Sequence, residues 1–84
     1  MKEMTAEVRL SGGLDAHSIA MCVQTASRFD SEIRLKDGVR SMNAKSIMGM
    51  MALGLALGDT VTVCANGPDE DDAVNAMAAF IEGR

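Results

Sequence analysis

The 84-residue sequence contains no tryptophan and no tyrosine, and its only aromatic residues are Phe29 and Phe80. Aliphatic side chains and the eight methionines must therefore fill any core, and methionine adapts easily to irregular spaces. The chain has a single proline, and 48% of its residues are hydrophobic, a composition typical of an ordered globular protein. We expect one domain over residues 1–84, because this length suffices for a single core.

Positive charge is also scarce. Eight Lys and Arg residues stand against twelve Asp and Glu, which gives a net charge of −4. Proteins that bind the phosphate backbone cluster Lys and Arg, and those that bind single strands add aromatic residues for base stacking. Direct binding of nucleic acid is therefore not expected.

The sequence lacks paired cysteine motifs and long apolar runs. Cys22 and Cys64 lie far apart and form no CxxC motif, which argues against a disulfide framework or a zinc site, and we expect no cofactor. The apolar segment at 46–58 is shorter than the roughly 20 residues of a membrane-spanning helix. Residues 1–10 carry charges where a signal peptide needs an apolar run. We expect a cytoplasmic protein with no membrane insertion.

Hydrophobic periodicity predicts the element order β-α-β-β-α-β-α. Alternation over residues 4–10 predicts the first strand, "SEIRLKDG" at 31–38 predicts a hairpin, and "DTVTVCAN" at 59–66 predicts a further strand. Helical spacing in the first helix involves Ala16, Ile19, Ala20, Val23, Ala26 and Phe29. In the last helix it involves Val74, Met77, Ala78 and Ile81. This order predicts an α+β fold, an antiparallel sheet with its helices packed on one face.

The segment "NAKSIMGMM", residues 43–51, places Ser46 at the start of a short predicted helix that ends near Leu53. Unpaired amides and the helix dipole favour negative charge at that position, where a phosphate would add about −1.5 to −2 charges. The apolar residues after Ser46 cannot all face inward, because consecutive positions are rotated by about 100°. We expect exposed methionines there, which are typical of docking sites. The alternative is a plain N-cap serine on a core helix.

The segment "GGLDAHSIAM", residues 12–21, places an acid two positions from the only histidine. Asp15 precedes the apolar positions of the first helix, and we interpret it as an N-cap. His17 is an alternative phosphoryl acceptor, because a neutral imidazole is a nucleophile and nearby N–H groups hold an anion, although a lone surface histidine is more often inert. We interpret the acids at 69–72 as the solvated start of the last helix, since EF-hand spacing is absent.

Together these segments resemble the HPr family, the small phosphocarrier proteins of the bacterial sugar phosphotransferase system. "NAKSIMGMMALGLALGD", residues 43–59, is similar to the family's regulatory serine segment nearly residue for residue. "AMCVQTASRFDSEIRL", residues 20–35, resembles its first helix and second strand, and "ANGPDEDDAVNAM", residues 65–77, resembles the start of its last helix. The resemblance implies an open-faced β-sandwich, in which three helices cover one face of a four-stranded antiparallel sheet.

The resemblance breaks at residues 13–19. Family phosphocarriers read Gly-Leu-His-Ala-Arg-Pro-Ala where this chain reads "GLDAHSI". In the family, the histidine receives the phosphoryl group from enzyme I and passes it to sugar permease components, and the arginine stabilises it. Here Asp15 holds the histidine position and His17 holds the arginine position. An acyl phosphate on Asp15 would be a further option, but the sequence supplies no magnesium site for it. We interpret this segment as a phosphate site that has lost its acceptor.

The regulatory segment is intact by the same comparison. Ser46 matches the serine that HPr kinase/phosphorylase modifies in many Gram-positive relatives. The resemblance implies a partner-binding surface on the first two helices, formed by Ala16, Ala20, Ile47, Met48 and Met51. It thus implies a regulatory interaction protein and not an enzyme. The pattern is similar to the catabolite-repression paralogue of HPr, a corepressor for a transcription regulator, although that paralogue keeps the arginine.

Two alternatives stay open at this point. The first is a working phosphocarrier between enzyme I and sugar permease components, with His17 as the acceptor. It requires the imidazole to reach the phosphoryl donor from two positions along the turn, which is a rotation of about 200° from the usual site if both residues lie in the helix. The second is a docking domain of another phosphorelay, in which only the surface of the fold is used.

Overall fold

Seven elements follow one another in the order that the sequence predicts. The computed structural model describes all residues from 1 to 84. The elements are β1 (Lys2–Glu7), α1 (Ala16–Ser27), β2 (Glu32–Asp37), β3 (Arg40–Asn43), α2 (Ile47–Leu53), β4 (Thr60–Asn66) and α3 (Glu70–Ile81). None of the three helices has the length and apolar character needed to cross a membrane.

The four strands form one sheet in the order β1-β4-β2-β3, and every neighbouring pair is antiparallel. Val63 on the central strand β4 lies opposite Met4 on β1 and Leu35 on β2, which fixes the register. Side chains alternate between the two faces of a strand, and one face is buried beneath the helices. That face carries Ala6, Ile33, Leu35, Val61, Val63 and Ala65. The predicted α+β fold class is confirmed.

The helices close the core, and their buried faces agree only in part with the prediction. The predicted stripe of α3 is confirmed, since Val74, Met77, Ala78 and Ile81 are all buried. In α1 the buried residues are Ile19, Cys22 and Ala26, whereas Ala16 is exposed and Ala20 and Val23 are half-buried. Phe29 lies beyond the end of the helix and is half-buried too. The helix packs against α2 and α3 and buries the face that carries Ile19, Cys22 and Ala26. Alanine removes too little area from water to fix a helix face.

The first strand is offset from its prediction. It runs over Lys2–Glu7, not over residues 4–10, although Val8 is fully buried. Beyond Glu7 the chain bonds to a loop: the Val8 N–H donates to the Asp59 carbonyl and the Gly58 N–H donates to the Val8 carbonyl, each over 2.8 Å. Alternating burial therefore continues past the end of the regular strand.

The acid at the start of α3 corrects another expectation. Asp69 is not simply solvated: its carboxylate accepts the backbone N–H groups of Asp30 and Ser31, each over 2.9 Å, and also the Ser31 hydroxyl. Ser31 is fully buried, so Asp69 satisfies polar groups that have no access to water. Asp71 and Asp72 are exposed, as predicted. Asp69 therefore joins the loop between α1 and β2 to the start of α3.

Candidate functional site

Asp15 is the N-cap of α1. Its backbone is extended, and its Oδ1 accepts the Ser18 backbone N–H over 2.9 Å, a bond that satisfies one of the unpaired amides of a helix start. This N–H, helped by the Ser18 hydroxyl, lowers the pKa of the Asp15 carboxyl below its ordinary value. The predicted cap is confirmed, and the position carries a carboxylate at neutral pH.

A close backbone contact positions the start of α1. Gly13 has a φ of +70°, and a Cβ on it would lie 2.9 Å from both the Ala56 Cα and the Leu55 carbonyl oxygen. The next residue, Leu14, donates its N–H to that carbonyl over 3.1 Å. Only glycine fits this place without displacing the loop, so the loop after α2 fixes where α1 begins.

His17 follows two residues after Asp15, in the first turn of α1, and its side chain is exposed. Among the effects that lower the pKa of the Asp15 carboxyl, the electrostatic effect of His17 ranks behind the Ser18 hydrogen bonds. The Asp15 oxygen is directed to the Ser18 amide, not to the imidazole. The two side chains therefore do not form the bonded acid–histidine pair that general base catalysis uses.

Ser46 is the N-cap of α2, as predicted. Its Oγ accepts the Gly49 backbone N–H over 3.2 Å, and the helix ends at Gly54, whose φ is +60°. The Ser46 N–H donates to the Asn43 carbonyl over 3.0 Å, which holds the turn that leads into the helix. The cap uses a lone pair of the hydroxyl oxygen and leaves the O–H proton free. Ser46 itself is half-buried at the surface of the domain.

The residues after Ser46 divide between the core and the surface. Met50 and Leu53 are buried, whereas Ile47, Met48 and Met51 are exposed by 49%, 82% and 55%. Ile47, Met48 and Met51, which we call the α2 patch, share one side of the helix because positions three and four apart are neighbours. The predicted exposure of methionines beside Ser46 is confirmed. Isolated exposed apolar residues are common, but three adjacent ones on one short helix are typical of a contact surface.

Arg40 on β3 binds the C-terminal end of α2, a role that the sequence did not predict. Its guanidinium donates to the carbonyls of Ala52 and Leu53 over 3.1 and 2.9 Å, and also to Asp37 over 2.9 Å. A cation at a helix C-terminus satisfies unpaired carbonyls and complements the dipole. No local pattern indicates this contact, because the partners lie twelve and thirteen residues away. A seven-residue helix is thus fixed at both ends.

The structure contains no arrangement of residues typical of a reactive cysteine or a metal site. Both cysteines are free and buried, and burial raises the pKa of the Cys22 thiol to about 12. No three residues of the kinds that ligate metals come together in a group that could hold an ion. A cavity of about 210 Å³ lies elsewhere, lined by residues that include Glu32, Arg34 and Cys64. The candidate site is therefore a surface: the start of α1, the Ser46 cap and the α2 patch, on two helices that pack together.

Known proteins match this chain over nearly its whole length. The family model described as the PTS HPr component phosphorylation site matches residues 2–83. The HPr-like protein Crh of Halalkalibacterium halodurans is 46% identical over 82 residues, which cover 98% of each chain. HPr-C-His from Thermoanaerobacter tengcongensis is 44% identical, with a TM-score of 0.93 over 99% of this chain and 93% of that one. Crh of Bacillus subtilis, described as a domain-swapped dimer, is 42% identical, with a TM-score of 0.80 over 99% and 95% of the two chains.

The family match agrees with the fold and with the segments that suggested it. Members of this family are phosphocarrier or regulatory proteins that interact with phosphotransferase-system enzymes, and they are not catalytic enzymes themselves. Relatives at this level of identity include HPr-like proteins involved in catabolite repression. The chain therefore belongs to the HPr family of the phosphotransferase system, among its HPr-like catabolite-repression paralogues.

Proposed function

We propose that this chain is a regulatory interaction protein of the phosphotransferase system, switched by phosphorylation of Ser46 and unable to carry phosphate at the usual acceptor position. The observation that carries the proposal is the place of Ser46: it caps α2 immediately before the exposed Ile47 and Met48. A charge added at this serine would change the surface that partners contact. We propose that this takes place in the cytoplasm.

The start of α1 supports the second part of the proposal, that the chain does not carry phosphate at the usual acceptor position. The acceptor position of the family motif holds Asp15, and its carboxylate is bonded to the Ser18 amide. A transferable phosphoryl group needs a nucleophile with a free electron pair and donors aimed at the incoming oxygens. Here a permanent negative charge occupies the helix end and repels a second anion. His17 stands at the arginine position, inside the first turn of α1, whereas Asp15 lies before the helix with an extended backbone, so the imidazole does not take the place of the acceptor.

The electrostatics of the Ser46 cap support the switch. The hydroxyl accepts a bond and keeps its proton, so it is available for transfer of a phosphoryl group. A phosphoserine carries about −1.5 to −2 charges at neutral pH, and at an N-cap these face the unpaired amides of α2. The helix start is thus kept while the border of the α2 patch becomes strongly anionic. A partner that buries Ile47 and Met48 must then offer cations to the phosphate.

The partners follow from the two forms of this surface. We propose an HPr kinase/phosphorylase as the enzyme that modifies Ser46, and a transcription regulator as the protein that binds the phosphorylated form. Both would contact the α2 patch together with Ala16 and Ala20 on α1, of which Ala16 is exposed and Ala20 half-buried. Enzyme I would recognise the fold without transferring phosphate to it.

Incubation with an HPr kinase/phosphorylase and ATP tests the proposal. The protein should gain one acid-stable phosphoryl group, and Ser46→Ala should gain none. A complete HPr that the same enzyme modifies is the positive control. Matched variants separate modification from recognition: Met48→Asp should reduce the labelling of Ser46, whereas Val39→Asp, at the exposed hairpin tip, should not. An unmodified protein beside a modified control would contradict the proposal.

A further inference from the structure

The sulfur atoms of the chain divide sharply by accessibility. Both cysteines are buried, and Cys22 packs inside the core. The Cys64 thiol donates to Glu3 Oε2 over 3.4 Å, and burial together with this acid raises its pKa. The thiolate is the form of cysteine that peroxides oxidise, so neither thiol is well placed to react. The methionine thioethers need no deprotonation, and their oxidation depends on exposure.

Four methionines are exposed, one at the N-terminus, one on α1 and two in the α2 patch, which contains the most exposed of them. Met48 is exposed by 82% and Met51 by 55%, whereas Met50, between them on the same helix, is exposed by only 1%. Met77 in α3 is fully buried as well. The difference arises because Met50 points into the core, whereas Met48 and Met51 are rotated away from it by 100° or more around the axis of α2. One turn of one helix thus presents protected and unprotected thioethers side by side.

We propose that Met48 and Met51 are modification sites, at which a peroxide converts the α2 patch reversibly from an apolar to a polar surface. In the reaction the thioether sulfur attacks one oxygen of hydrogen peroxide. An S–O bond forms and the O–O bond breaks. The second oxygen leaves as water after proton transfer, so the sulfur loses the two electrons that the peroxide gains. The reverse step needs a dithiol reductant and a methionine sulfoxide reductase.

The modification changes the surface and leaves the fold intact. Neither thioether belongs to the hydrophobic core, so the new oxygen is solvated and no buried contact is lost. A partner that covers the patch, however, must desolvate two sulfoxide oxygens, which costs free energy unless donors meet them. The consequence for partner binding rests on the proposed function, because it assumes that the patch is the docking surface. The site selectivity does not rest on it.

Peptide mapping by mass spectrometry after graded exposure to hydrogen peroxide tests the selectivity. Met48 and Met51 should be oxidised at least about tenfold faster than Met50, because a buried thioether reacts only after local opening of the structure. Circular dichroism should be unchanged at that stage. Equal rates for Met48 and Met50 in the folded protein, or prior oxidation of Cys64, would overturn the proposal.

A second measurement follows the surface itself. Oxidised protein should elute earlier from a phenyl column, and reductase treatment should restore the original retention. The matched variant Met48→Leu/Met51→Leu keeps an apolar patch without sulfur. Only the exposed Met1 and Met21 remain for peroxide to oxidise, so its retention should change less than that of the original protein. A shift of equal size in this variant would overturn the proposal.

The labelling of Ser46 by an HPr kinase/phosphorylase links the modification to function. Oxidation should slow labelling of the original protein several-fold and leave the leucine variant unaffected. Equal labelling before and after oxidation would overturn the regulatory consequence. Absence of labelling in the unoxidised protein would instead contradict the proposed function, while the peptide map and the column retention still decide where peroxide acts.

Discussion

The Ser18 backbone N–H donates to Asp15 Oδ1 over 2.9 Å, so the carboxylate that we propose to stand at the acceptor position of the family motif is the N-cap of α1. The carboxylate thereby satisfies one of the unpaired amides at the helix start. The close contact of Gly13 with the loop after α2 fixes the same helix start. The start of α1 is thus held both by its own cap and by the loop after α2.

Replacing Asp15 by histidine should restore little phosphoryl transfer. The variant regains a nucleophile but still lacks the arginine, and loss of one group that stabilises transferred charge costs about 100-fold or more. Acid-labile phosphate formed with enzyme I and phosphoenolpyruvate should therefore accumulate about 100-fold more slowly than on an intact HPr. The double variant Asp15→His/His17→Arg should be clearly faster. Equal rates for the single and double variants would show that the arginine position is unimportant here.

Two glycines with similar backbone angles should respond differently to alanine. Gly13 and Gly54 have φ values of +70° and +60°, but a Cβ on Gly54 meets nothing within 4 Å, whereas one on Gly13 meets backbone at 2.9 Å. Gly54→Ala should lower the free energy of unfolding by about 1 kcal/mol, the cost of the left-handed conformation. Gly13→Ala should lower it by about 3 kcal/mol, because the loop at 55–57 must also move. Urea unfolding measures both, and equal losses would contradict the close contact.

The bonds of Asp69 should make stability depend on pH in the acid range. The Ser31 hydroxyl, followed by the Asp30 backbone N–H, lowers the pKa of the Asp69 carboxyl below its ordinary value of 3.8. A carboxyl with a lowered folded pKa contributes fully above the unfolded value and loses its contribution as the pH falls through the folded value. The urea midpoint should therefore decrease from about pH 5 downward.

Asparagine at position 69 isolates this contribution. Asp69→Asn should lower the urea midpoint markedly near neutral pH and much less at acid pH, once the original carboxyl becomes protonated too. The matched control is Asp71→Asn, since Asp71 is exposed and only pairs with Lys2 at the surface over 3.5 Å. An equal loss at both pH values, or a similar effect of the control, would contradict the role assigned to the Asp69 carboxylate.

The cap of α2 should tolerate aspartate and not alanine. Ser46→Ala removes the acceptor of the Gly49 N–H and should lower the free energy of unfolding by about 1 kcal/mol. Ser46→Asp keeps an acceptor and adds charge favoured at a helix start, so its stability should stay close to that of the original protein. Thermal unfolding distinguishes the two, and an aspartate variant as unstable as the alanine variant would contradict the capping geometry.

Local patterns predicted the features that depend on neighbouring residues. The alternation of Val61, Val63 and Ala65 marked β4, and Ser46 and Gly54 marked both ends of α2, because a strand face and a helix cap are set within a few positions. Contacts between distant segments were missed. Asp69 reaches a loop 38 residues earlier, and Arg40 reaches carbonyls twelve and thirteen residues later. From sequence alone such charged side chains are predicted to be solvated, because their partners become neighbours only in the folded protein.

In the candidate site, too, features set by neighbouring residues were predicted and contacts between distant segments were not. The motif order placed Asp15 and Ser46 at helix starts, and the exposure of Met48 and Met51 followed from helix geometry. The burial of Ala16 and Ala20 was harder to predict, because the small side chain of alanine gives little indication of the helix face on which it lies. The contact of Gly13 with Ala56 also had no local signal, since 43 positions separate the two residues.

The most direct test supplies the protein with both phosphoryl donors and measures its intact mass before and after brief acid treatment. Enzyme I with phosphoenolpyruvate and an HPr kinase/phosphorylase with ATP are present together, and an intact HPr serves as the control. The account predicts one acid-stable phosphoryl group, located on Ser46, and no acid-labile phosphate. An acid-labile group that disappears in His17→Ala or in Asp15→Asn, or a protein that stays unmodified at Ser46, would contradict it.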